Sequence, residues 1–93
     1  QSSVYVCSKG GIQAFTESLR KEANPKGIQV SLVEPGSVGT DMQPFSPEEQ
    51  QEKIDHLEML YAEDIARTIA YILSQPLRTS IVHTQVKPLR QII

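Results

Sequence analysis

Apolar positions along this chain follow two periodicities. Between Val4 and Ala23, residues Ile12, Phe15, Leu19 and Ala23 recur three and four apart, the spacing of one helix face. Glu17 and Lys21 are placed as an i,i+4 ion pair on the outer face. Ser8, Gly10, Gly11 and Ala14 keep the first turns small. A helix-interior glycine costs about 1 kcal/mol relative to alanine, so close approach is expected there, by a neighbouring helix or sheet or by a ligand. Asn24-Pro25-Lys26-Gly27 ends the helix with turn residues. From Ile28 to Val33 the pattern alternates, with Ile28, Val30 and Leu32 on one side and Val33 making the end apolar on both. That suits a strand covered on both faces. Pro35-Gly36 stops the strand and leaves Gly36 to Pro44 as a loop at its carboxyl end, the edge where open parallel α/β sheets hold ligands.

A second helix starts at Ser46-Pro47-Glu48-Glu49, with Ser46 as cap, Pro47 in the first helical position and Glu49 closing a capping box. It runs to about His56 and is polar nearly all round. So little apolar face gives such a helix little to hold it down, which fits either a movable lid or a solvated surface helix. Glu63-Asp64 stands near the start of a third helix whose wide apolar face is Ile65, Ala66, Ile69, Ala70, Ile72 and Leu73, stopped by Pro76. Ser80 to Val86 reads as a second strand, followed by Lys87-Pro88. Strand, crossover helix, strand is a βαβ unit with parallel strands. The predicted order is α-β-α-α-β, an α/β fold.

Composition narrows the class. Thirty-nine per cent hydrophobic residues and no tryptophan give 93 residues a modest core, near the lower limit for a domain that stands alone. The net charge of −2 is spread along the chain, without the basic stripe that nucleic acid requires, and no apolar run is long enough to cross a membrane. Gln1-Ser2-Ser3 has neither the charged start nor the apolar stretch of a signal peptide and no initiator methionine, which fits a chain that begins partway through a longer one. A single cysteine, Cys7, forms no internal disulfide and suits a reducing cytoplasm; packing is its default role. His56 and His83 read as a solvated helix residue and a strand residue, with no partners at metal-ligand spacing.

The candidate chemistry sits at Tyr5-Val6-Cys7-Ser8-Lys9-Gly10-Gly11. A tyrosine and a lysine four apart lie on one helix face about 6 Å apart along the axis. A free tyrosine, with a pKa of about 10, is a poor acid or base at neutral pH, and a nearby ammonium favours the phenolate and makes it useful. A bare Tyr-x-x-x-Lys pair is commonly just two solvated side chains. Here the run continues through Ile12, Phe15-Thr16-Glu17-Ser18-Leu19-Arg20, a turn and a strand to Glu34-Pro35-Gly36-Ser37-Val38-Gly39-Thr40-Asp41-Met42.

In that order and spacing the chain closely resembles the C-terminal half of a short-chain dehydrogenase/reductase, over nearly its whole length. The resemblance implies that residues 1–93 are the C-terminal fragment of one dinucleotide-binding domain, the last portion of a doubly wound, Rossmann-like parallel sheet. It implies Tyr5 as general acid/base in hydride transfer between an alcohol and a carbonyl. Lys9 would lower the tyrosine's pKa and bind the nicotinamide ribose, and the Pro35-Gly36 backbone would line the nicotinamide. Thr40 matches the threonine that bonds carboxamide or phosphate, Val38 falls in the same cofactor loop, and Asp41 and Met42 match the pattern after it. The implied cofactor is NAD or NADP, with NADP slightly preferred, and the implied assembly is a homodimer or tetramer in the cytoplasm, with no nucleic-acid or membrane partner. The Gly-rich phosphate turn and the residue selecting NAD or NADP are absent, and Ser2 and Ser3 stand too close to Tyr5 to be the catalytic serine. The isolated chain is therefore expected to be inactive. The tail from Val82 to Gln91 loosely resembles the subgroup acting on small hydroxy acids and favours a small polar substrate over a steroid. The alternative is a truncated, catalytically silent homologue serving as an oligomerisation or interaction module.

Overall fold

A computed structural model of the chain describes residues 3–40 and 43–91. The helices and strands run α1 (Ser3–Ala23), β1 (Leu32–Pro35), α2 (Pro47–Asp55), α3 (Ala62–Leu73) and β2 (His83–Val86). α1 forms where the 3–4 spacing predicts it and passes into a 3-10 turn over Asn24–Lys26, capped by Gly27 in the left-handed region at φ 81°. Glu17 does not pair with Lys21. It takes Arg20 instead, Nε to Oε2 at 3.0 Å with Nη2 on the other oxygen, because a guanidinium fork can engage both carboxylate oxygens at once.

The strands pair in parallel, in the register Leu32↔His83, Val33↔Thr84, Glu34↔Gln85 and Pro35↔Val86. Both are shorter than the alternation predicts. Residues 28–31 and 80–82 lie outside the strands, and side chains rather than a ladder hold the first segment: Gln29 Nε2 donates to the Leu77 carbonyl, ahead of the second segment, at 3.0 Å, and Ser31 Oγ donates to that of Ile81 at 2.6 Å. Pro35, with no N–H to give, closes β1.

α2 carries the capping box read from the sequence, Glu49 N–H to Ser46 Oγ at 3.2 Å and Ser46 N–H to Glu49 Oε1 at 3.4 Å. Its other end is unexpected. Leu57 sits at φ 63°, where glycine is usual, while Leu57 N–H bonds Ile54 O at 3.0 Å and Glu58 N–H bonds Lys53 O at 2.8 Å, the paired bonds of a Schellman cap. α3 begins where Asp64 accepts the Tyr61 N–H at 2.9 Å.

The loop after β1 is stitched to the segment before α3 by an isolated parallel bridge between Val38 and Leu60, with Gly39 N–H to Leu60 O and Leu60 N–H to Ser37 O both at 2.9 Å. Met59 is buried beneath this seam. Elsewhere the apolar faces lie open: Val4, Phe15 and Leu73 are 74%, 67% and 79% exposed. The expected two-sided cover of β1 is therefore not supplied by the described residues, which bury too little apolar area to wrap a sheet. No helix among them is long and apolar enough to cross a membrane.

Candidate functional site

The amino-terminal half of α1, the carboxyl ends of both strands and the tail after β2 surround a cavity of about 730 Å³. α1 contributes Tyr5 and Lys9, four residues and so about one turn apart, and β1 contributes Pro35 with Gly36 following. The Lys9 ammonium lies 5.8 Å from the centre of the Tyr5 ring, inside the range of a cation–π contact. Gly10 lines the same cavity, and a Cβ on it would meet nothing within 4 Å. Within the described residues the glycine pair therefore faces open space rather than a close-packed neighbour.

Among the described residues, one buried charge faces this cavity. Glu34, 7% exposed, alternates inward from β1 toward α1 and accepts hydrogen bonds from both neighbouring elements. Gln13 Nε2 reaches its two oxygens at 3.2 and 3.0 Å, Gln85 Nε2 reaches one at 3.5 Å, and His83 Nε2 meets the same oxygen. The Lys9 ammonium stands 3.9 Å from the other. Hydrogen bonds from Gln13 first and His83 second hold the Glu34 carboxyl below its ordinary pKa, against the opposing push of burial.

The bend after β1 is clamped from the tail. Gly36 N–H donates to Val86 O at 2.7 Å and Ser37 N–H to Gln91 Oε1 at 2.8 Å. A side chain at Gly36 would run into Gln91 Oε1 and stand 3.1 Å from Pro88 Cδ. Glycine is required here by close approach, since among the described glycines only Gly27 has a positive φ. The tail is held in turn by Arg90 N–H on the Leu57 carbonyl at 2.8 Å.

Of the residues singled out from sequence, Tyr5, Lys9, Pro35 and Gly36 share the cavity. Val38 and Thr40 lie further along the loop and are not among its described lining residues: Val38 is in the bridge to Leu60, and the Thr40 carbonyl accepts from Gln50 Nε2 at 2.9 Å. That bond, with the Lys53 ammonium 4.5 Å from the centre of the Phe45 ring, pins α2 to the loop. Asp41 and Met42 lie outside the described residues. Cys7 is an exposed free thiol, and no group of three or more metal-binding side chains occurs among the described residues. Sequence reasoning missed Glu34, Gln13 and Gln91 and left His83 as a strand residue. No sequence signal singled out Glu34: the strand predicted over residues 28–33 stops before it, and its partners come from α1 and β2.

A phenol that can give or take a proton, a cation beside it and a rigid backbone bend thus face one space of a size usual for small-molecule sites, about 300–1,000 Å³. Residues 1–51 match the short chain dehydrogenase family. Similar proteins include chanoclavine-I dehydrogenase of Aspergillus fumigatus, 37% identical over 82 residues that cover 80% of this chain and 31% of that protein. Farnesol dehydrogenase of Aedes aegypti is 33% identical over 90 residues, 95% of this chain and 35% of its own. A 3-oxoacyl-[acyl-carrier-protein] reductase of Haemophilus influenzae is 34% identical over 74 residues, 75% and 31% respectively. The chain spans about a third of the length of these relatives.

Proposed function

The chain belongs to the short-chain dehydrogenase family, and on that premise we propose that the full-length protein interconverts an alcohol and a carbonyl by hydride transfer with NAD or NADP. The observation that carries this reading is the convergence of Tyr5, Lys9 and the Pro35-Gly36 bend on one cavity. Tyr5 holds the proton that passes to or from the substrate oxygen. In this reading the Lys9 charge favours the phenolate, and its ammonium, 3.9 Å from the Glu34 carboxylate and 5.8 Å from the Tyr5 ring centre, reaches ribose hydroxyls across the cavity. The Pro35-Gly36 backbone, clamped by Val86 and Gln91, gives the nicotinamide a fixed wall. When bound, the nicotinamide supplies or accepts the hydride. Val38 and Thr40 belong to this reading as cofactor contacts from the loop, and a slight preference for NADP goes with it.

A chain that carries no Gly-rich phosphate turn holds one side of such a site, so its isolated form is inactive on this account. The open apolar face of α1, with Val4 at 74% and Phe15 at 67% exposure, supports assembly of the protein as a homodimer or tetramer through this helix. The same exposure favours the second reading, an interaction module without chemistry. Two substitutions in the full-length protein separate them. Tyr5→Phe should abolish turnover and leave nicotinamide affinity within about twofold, and Lys9→Ala should weaken both. Turnover retained in Tyr5→Phe would refute the acid/base assignment.

A further inference from the structure

We propose that Glu34 is a positioning residue that sets the charge balance at Tyr5 through Lys9. The proposal deepens the function above and rests on its assignment of Tyr5 and Lys9. Three observations carry it. First, Glu34 lines the same cavity as Tyr5 and Lys9, and its carboxylate lies 3.9 Å from the Lys9 ammonium, whose nitrogen is 5.8 Å from the Tyr5 ring centre. The ammonium is thus within reach of both the carboxylate and the Tyr5 ring. Second, the carboxylate is fixed: Gln13 holds both oxygens from α1, one turn beyond Lys9, while His83 and Gln85 hold it from β2. A buried carboxylate so held cannot swing away, so its field at Lys9 is constant. Third, its bonds span α1, β1 and β2, which fixes the distance from the Tyr-Lys face of the helix to the strand ends.

The physical consequence has a sign. The ammonium favours the phenolate, and the carboxylate behind it opposes that effect in part. Removing the negative charge with shape preserved should let Tyr5 ionise at lower pH, and adding a second negative charge should make it ionise at higher pH. A purely structural role gives no such opposition of sign. Among the described residues, the titratable groups facing Glu34 are Lys9 from α1 and His83 from β2, with Lys87 lining the same cavity.

The test is the titration of Tyr5 in full-length protein labelled with [ζ-13C]tyrosine, with the Tyr5 resonance assigned by its loss in Tyr5→Phe. Glu34→Gln should move the midpoint down by roughly one pH unit at low salt, for charges on the order of 8–10 Å apart near the surface, and Gln13→Glu, about 12 Å along α1 from Tyr5, should move it up by less. Gln13 is an exposed helix residue, so the second variant carries the test if the first does not fold. Midpoints that coincide in the parent and in every variant that folds, or that move in the same direction in both variants, would overturn the proposal. The readout needs no turnover. An active Tyr5→Phe enzyme with separated midpoints would remove the acid/base reading and leave the charge coupling in place, whereas coincident midpoints with an inactive Tyr5→Phe would remove the role of Glu34 alone.

Discussion

A methyl group added at Gly36 tests how the cavity wall is held. In Gly36→Ala the new Cβ runs into Gln91 Oε1 and stands 3.1 Å from both Gln91 Cδ and Pro88 Cδ. The Gln91 side chain can swing aside, but its Oε1 accepts the Ser37 N–H at 2.8 Å, so moving it gives up a bond worth about 1 kcal/mol. The ring of Pro88 is buried and cannot rotate away, and crowding of this kind costs about 1–3 kcal/mol. Against these, alanine stiffens the unfolded chain and returns roughly 0.4–1 kcal/mol. The balance is a destabilisation of about 1–3 kcal/mol. Urea unfolding of the full-length protein measures it as a lower midpoint with an unchanged slope. The clash has a named partner, so the double variant Gly36→Ala/Gln91→Ala should be more stable than the sum of the two single losses by about 1 kcal/mol. A Gly36→Ala protein within about 0.5 kcal/mol of the parent, or strict additivity in the double variant, would refute the clamp.

Two further outcomes concern stability. The folded-state pKa of Glu34 is depressed, so its contribution is present above the unfolded carboxyl value of about 4.3 and is lost as pH falls through the folded value. The stability gap between the parent and Glu34→Gln should therefore be full at neutral pH and close in acid, as read by thermal melts over a pH series; a gap unchanged down through the acid range would contradict the hydrogen-bonded carboxylate. Ser46→Ala removes one arm of the capping box on α2 and should cost about 1 kcal/mol in urea unfolding, with no measurable loss meaning that α2 does not depend on its cap.

The helices were legible because their signals are local. The apolar spacing of α1 and α3 and the Ser46-Pro47-Glu49 start of α2 act within a few residues, and two β-prone runs separated by helices led to parallel pairing. Strand ends were less legible, since alternation in residues 28–33 says nothing of Gln29 and Ser31 bonding across to the partner segment with their side chains. Leu57 at φ 63° was invisible for a similar reason: no glycine marks the stop, and the position is held by backbone bonds to α2 and by Arg90 from the tail. At the site, Tyr5, Lys9 and Pro35-Gly36 could be read from spacing and from resemblance. Glu34 and Gln91 could not, because their importance comes from partners 21 and 54 residues away in the chain.

The most direct test of the central claim is a crystal structure of the full-length protein with NAD or NADP bound. The account predicts ribose hydroxyls about 3 Å from Lys9 Nζ, the nicotinamide ring against the Pro35-Gly36 backbone and the Tyr5 hydroxyl facing the side from which hydride leaves. A nicotinamide bound away from this cavity, or a Lys9 ammonium turned from the ribose, would contradict it.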